Sequence, residues 1–293
     1  MCRIFSVEES RRPHGLRQET GRHLATREIV RLIQVLSLVL AEFGIGSLLI
    51  TSLLSPHDIR LGFFTFNSLL SALTTAMALV LSKMFLGGAW YDVRYLGFTV
   101  IGSTVAYGCF RLDRPVPGRL CLILSGLIGL TLGLLPMTDQ TLKLHNIHTD
   151  ASYLFAASAL AGALLLGTTN VAMILGHWYL LMRRLSFDHL ERITLILLAV
   201  IGLRIVLLLA TLGLMDSIDP QLAKSFIPDL WAIHGNLFFF VMRVLWGLLL
   251  PAVLGLLVLR CVKEKANQAA TGMLYVMEIS VLFGELFAAY LML

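Results

Sequence analysis

Eight long apolar runs, separated by charged or proline-bearing breaks, dominate the sequence. They cover roughly 32–54, 62–82, 94–111, 119–137, 152–180, 192–215, 230–259 and 270–293. A helix needs about 20 mostly apolar residues to cross a bilayer, and each run comes near that length. Lipid offers no hydrogen bonds, so a spanning backbone must pair its own N–H and C=O groups, which a helix does within one segment. The chain is therefore expected to fold as an all-α, polytopic integral membrane bundle of about eight transmembrane helices. Pro56, Arg114-Pro115-Val116-Pro117-Gly118, Asp219-Pro220 and Ile227-Pro228 supply the stops between runs. Composition agrees: 57% of the residues are hydrophobic and 14% charged, against about 25% charged in a soluble domain.

Residues 1–31 form a basic N-terminal tail, expected to be interfacial or disordered, and 32–293 form the eight-span membrane domain. Cys2, Cys109, Cys121 and Cys261 are scattered without a C-x-x-C pair, which disfavours iron–sulfur, zinc and c-type haem sites. The formal charge of +5 comes mainly from the tail and short loops, a distribution that orients a membrane chain rather than one that grips nucleic acid. Arg111, Arg114, Arg119, Arg183, Arg184, Arg192, Arg260, Lys263 and Lys265 gather at one end of the expected bundle. Lys143 and Lys224 sit in the loops at the other. This predicts a plasma (inner) membrane protein with a non-cytoplasmic C-terminus. The arginines of the tail vote the opposite way.

Ionisable groups inside spans cost about 2.5–3.5 kcal/mol each on insertion scales, so they need a partner or a purpose. Five stand out: Glu42, Arg204, Arg243, Glu278 and Glu285. Glu278 and Glu285 are seven apart and share one helix face. Counting from the run starts puts Arg204, Arg243 and Glu278 near the midplane, so Glu278 is the expected partner of Arg204 or Arg243. Glu42, Arg204, Glu278 and Glu285 are candidates for a proton relay. The plain alternative is a set of buried ion pairs that fix helix register.

Histidines make a second pattern. His145 and His148 precede span five and His234 opens span seven, at comparable outer depth on different helices. Neutral imidazoles on opposing helices are what a b-type haem iron requires. His148 and His234 are thus the candidate haem ligands, and Arg243 a candidate contact for a propionate or a quinone carbonyl. The plain alternative for each histidine is a hydrogen-bonded polar residue at the interface; His177, beside Trp178 and Tyr179, is expected to be such an anchor.

Small residues at four-residue spacing (Ser125, Gly129, Gly133; Ser158, Gly162) mark close helix packing within the bundle. Gly167-Thr168-Thr169-Asn170 is a candidate break in the overlong fifth span, and Pro251 a candidate kink in the seventh. No repeat relates spans 1–4 to spans 5–8 by eye. Walker, H-E-x-x-H and G-x-S-x-G motifs are absent, which disfavours hydrolytic chemistry. The eight-span layout with outer histidines resembles membrane subunits of bacterial respiratory, quinone-linked complexes, through no motif specific to them. The leading expectation is a haem b- or quinone-associated membrane subunit of an electron-transfer system, with lipid, quinone and other membrane or redox subunits as partners. Alternatives are a proton-coupled small-solute transporter and a non-catalytic scaffold or assembly subunit.

Overall fold

Helix is what each apolar run becomes. The computed structural model describes residues 14–56, 58–85, 90–135, 152–181, 188–218 and 236–292, and every regular element among them is helical. The helices are α1 His14–Leu53, α2 Leu61–Phe85, α3 Trp90–Arg111, and α4 Pro115–Ile128 with a π-helical turn Gly129–Leu134. They continue as α5 Ser152–Leu181, α6 Asp188–Ile218, α7 and α8 Asn267–Met292. Helix α7 has three parts: Asn236–Val244, a π-helical turn Leu245–Leu249, and Leu250–Lys263. Seven of the eight are long and apolar enough to cross a membrane; α3 is the exception. It packs between α2 and α4 and buries Thr99 and Ser103.

Helix α1 starts well before residue 32, so the described part of the basic tail continues the first span. Near the start of the apolar part of α1, Glu28–Leu53, Arg31 Nη2 donates to the Tyr290 carbonyl at 3.0 Å, and the guanidinium lies 4.3 Å from the Tyr290 ring centroid. A cation at the last carbonyls of α8 complements that helix's dipole.

The helices close two rings. In the first, α1 packs on α2, α2 on α3, α3 on α4, and α4 back on α1. In the second, α5 packs on α6, α6 on α7, α7 on α8, and α8 back on α5. Helix α1 joins the rings through α5 and, less extensively, α8. The repeated architecture escapes the sequence because it rests on which faces meet. Lipid gives no hydrophobic drive between helices, so close packing of small residues selects the partners. Ser125 lies against Gly102, Gly129 against Thr99 and Ile45, and Gly133 against Leu96, all inside the first ring.

Pro251 acts through the hydrogen-bond ladder. The Leu250 N–H donates to Leu245 O, five residues back, and Pro251 has no N–H to give Trp246 O. The Ser280 hydroxyl on α8 donates to that Trp246 carbonyl instead. Ser280→Ala is expected to cost about 1–3 kcal/mol by leaving the carbonyl unmet. Adding Pro251→Ala, which returns an N–H to the turn, should recover part of it; unfolding of the single and double variants in detergent checks this.

Candidate functional site

Three helices from the second ring and one from the first bring their charges together in the interior. Arg204 of α6 and Glu285 of α8 form a two-pronged ion pair, with Nε donating to Oε1 at 3.2 Å and Nη2 to Oε2. The remaining nitrogen, Nη1, donates to Ser158 Oγ on α5 at 2.7 Å and to the Ser158 carbonyl. Glu42 of α1 completes the group. A Cβ built on Gly162 would lie 3.0 Å from Glu285 Oε2 and 3.2 Å from Glu42 Oε2, so both carboxylates rest against the bare face of that glycine. Glu42, Arg204 and Glu285 are 4%, 3% and 4% exposed, which puts all three in the protein and none in lipid. Arg243 on α7, half-buried, lies within electrostatic range of Glu42, Glu285 and Arg204. The formal charges of these four groups cancel. That matters where an unbalanced charge is costly.

The sequence places Glu278 opposite an arginine, and the structure places Glu285 there. Helices α6 and α8 begin at the same end of the bundle. Arg204 lies about four and a half turns from the start of α6, Glu285 about five turns from the start of α8, and Glu278 only about three. The apolar runs began later than the helices do, since Asp188, Glu191 and Asn267 belong to first turns. Both runs start about a turn inside their helices, by four residues in α6 and three in α8, so the offsets nearly cancel; counted from the helix starts, Glu285 differs from Arg204 in depth by two residues and Glu278 by five.

Glu278 occupies a separate tier. The Thr169 hydroxyl of α5 faces its carboxyl, but that hydroxyl donates to Leu165 O and Leu166 O of its own helix. Glu278 Oε2 is left buried without a hydrogen-bond partner among the described residues. Beside Thr169, Asn170 Nδ2 donates to Ser47 Oγ on α1 at 2.9 Å, while Asn170 Oδ1 is buried and unmet.

These tiers follow one register. Helices α5 and α8 are antiparallel, and Gly162 meets Glu285, Thr169 meets Glu278, and Gly176 meets Thr271. Each step is seven residues on both helices, two turns or about 10 Å. A polar or bare position thus recurs along the α5–α8 seam, from Thr271 near the start of α8 up to the Arg204–Glu285 pair. The seven-residue spacing of the glutamates was visible in the sequence. The opposing row on α5 was not, because it needs the antiparallel register.

Helix α5 is unbroken through Gly167–Asn170, contrary to expectation. Thr168 and Thr169 donate to carbonyls one turn back and Asn170 reaches across to Ser47, so the polar run stays helical. His145, His148 and His234, the last two the expected haem ligands, lie outside the described residues. Arg243 is described, and it lies within electrostatic range of Glu42 and Glu285. No group of three metal-binding side chains occurs among the described residues.

Fold and site together define a multi-pass membrane helix bundle with a charge-balanced cluster in its interior. No family model and no curated protein matches the chain.

Proposed function

We propose that the protein is a proton-coupled transporter of a small solute, set in the plasma membrane with its C-terminus non-cytoplasmic. The observation that carries this reading is the position of the Glu42–Arg204–Glu285 cluster, buried where the first four-helix ring meets the second. Solute and coupling-ion sites in many transporters lie at such an interface between repeated halves, which rock against each other. Glu42 alone comes from the first ring, so relative movement of the rings separates it from Arg204 and Glu285. Protonating Glu42 changes the charge of the cluster by one while the Arg204–Glu285 pair stays whole. Glu278, two turns along the same seam, is a second carboxyl for the proton's route.

Liposomes holding the purified protein and a trapped pH dye test this against a panel of amino acids, sugars, carboxylates and organic cations. One class of solute is expected to drive proton movement. Glu42→Gln should reduce it at least about tenfold while leaving the fold intact, with Glu278→Gln weaker. Solute-driven proton movement unchanged in both variants overturns the reading and leaves the carboxyls as structural. The redox alternative rests on His148 and His234. A reduced-minus-oxidised haem α band, lost in His148→Ala or His234→Ala, would put it first.

A further inference from the structure

Near the start of α8 lies a cavity of about 380 Å³ lined by Phe66, Leu70, Met173, Ile174, His177, Trp178 and Tyr275. Helix α5 forms its floor, and α2 and α8 form its walls. Phe66 and Tyr275 are exposed at its rim, so it opens sideways, towards the lipid around the bundle. The volume falls in the range of small-molecule sites, about 300–1,000 Å³, which combine an apolar lining with few polar groups.

The polar groups here are specific. Trp178 packs edge-on to Phe63, with ring centroids 6.1 Å apart, and a Cβ on Gly62 would sit 3.3 Å from its Cζ2. The indole is therefore held, yet its Nε1–H is buried with no acceptor among the described residues. An indole N–H can only donate, and a buried donor left unmet is costly. Tyr275 Oη and His177 Nδ1 are 3.3 Å apart. With the proton on Nδ1 the imidazole donates to the phenol, and the phenol O–H is free to donate into the cavity. That donor in an apolar, aromatic slot matches a ligand that is itself apolar and carries an acceptor oxygen.

We propose that this cavity binds a membrane-dissolved lipophilic molecule with a carbonyl head group, entering between α2 and α8 and accepting a hydrogen bond from Tyr275. The site is independent of the proton reading, since it uses neither Glu42 nor Arg204. The carbonyl has two sources in a membrane, an isoprenoid quinone or the ester of a phospholipid, and two arms separate them.

In the first, full-length protein in nanodiscs is titrated with a short-chain quinone and bound quinone is counted after rapid filtration. In the second, native mass spectrometry of the detergent-purified protein reports phospholipid that stays bound. Saturable binding of either probe is expected, weakened about tenfold by Tyr275→Phe and abolished by Met173→Trp, which fills the cavity. Tyr275→Phe keeps the ring and nearly all of the volume, so it remains informative if Met173→Trp misfolds. Binding no greater than partition into empty nanodiscs, with no retained lipid, overturns the proposal. So does binding of either probe that both variants leave unchanged.

Discussion

Arg204→Leu is expected to destabilise the protein by about 3–5 kcal/mol in detergent unfolding, the range for removing one partner of a buried ion pair. The loss exceeds that of a hydrogen bond because three things are stranded together. Glu285 loses both donors to its carboxylate, and Ser158 loses the donor to its hydroxyl and carbonyl. Glu42, against the same face of Gly162, is left facing a second carboxylate with Arg204 gone. Arg204→Leu with Glu285→Leu should recover most of the loss, since an apolar pair of similar bulk replaces a buried ionic one at little net cost. A single variant within about 1 kcal/mol of wild type would mean the pair is solvated rather than sealed. The double variant also separates stability from activity. If the cluster works as proposed, a well-folded Arg204→Leu/Glu285→Leu protein moves no solute.

Much of this architecture can be read from the sequence, because a bilayer restricts the choices so severely. Run lengths give helix number and the cost of charge picks out Glu42, Arg204, Arg243, Glu278 and Glu285. What escapes is who meets whom. Counted from the apolar edges, Arg204 is twelve residues deep, Glu285 fifteen and Glu278 eight, so the mismatches of the two carboxyls differ by a single residue and run bounds do not choose between them. The two rings escape for another reason: faces that bury Gly46 or Gly167 differ from lipid-facing ones only by what they lack. Threonine and asparagine mislead in the opposite direction. In Thr168-Thr169-Asn170 they look like a break, yet each threonine hydroxyl finds a carbonyl of its own helix. Proline proves more legible than its kink: Pro251 fixes where the ladder fails, and Ser280 shows which neighbour compensates.

Gly46→Ile should be the most damaging substitution to uncharged packing, costing more than the 1–3 kcal/mol or so usual for an overfilled core. A Cβ at Gly46 would run into the Ala163 carbonyl, and one at Gly167 into the Gly46 backbone. Side chains can turn away from an intruder; two helix backbones in contact can only part. Helices α1 and α5 run parallel here, Glu42 against Gly162, Gly46 against Gly167, and Ser47 against Asn170. Parting them at Gly46 therefore pulls on both polar tiers. Gly46→Ala is expected to show a smaller loss of the same sign, because the methyl alone meets backbone. Gly202 and Gly272 provide the contrast. No atom lies within 4 Å of a Cβ at either position, so alanine there should be neutral or stabilising by up to about 1 kcal/mol through helix propensity. Thermal unfolding of these variants ranks them directly. Gly46→Ala as benign as Gly202→Ala would mean that the α1–α5 contact is loose. Glu42 would then not be held against Arg204 and Glu285 by the joint between the rings.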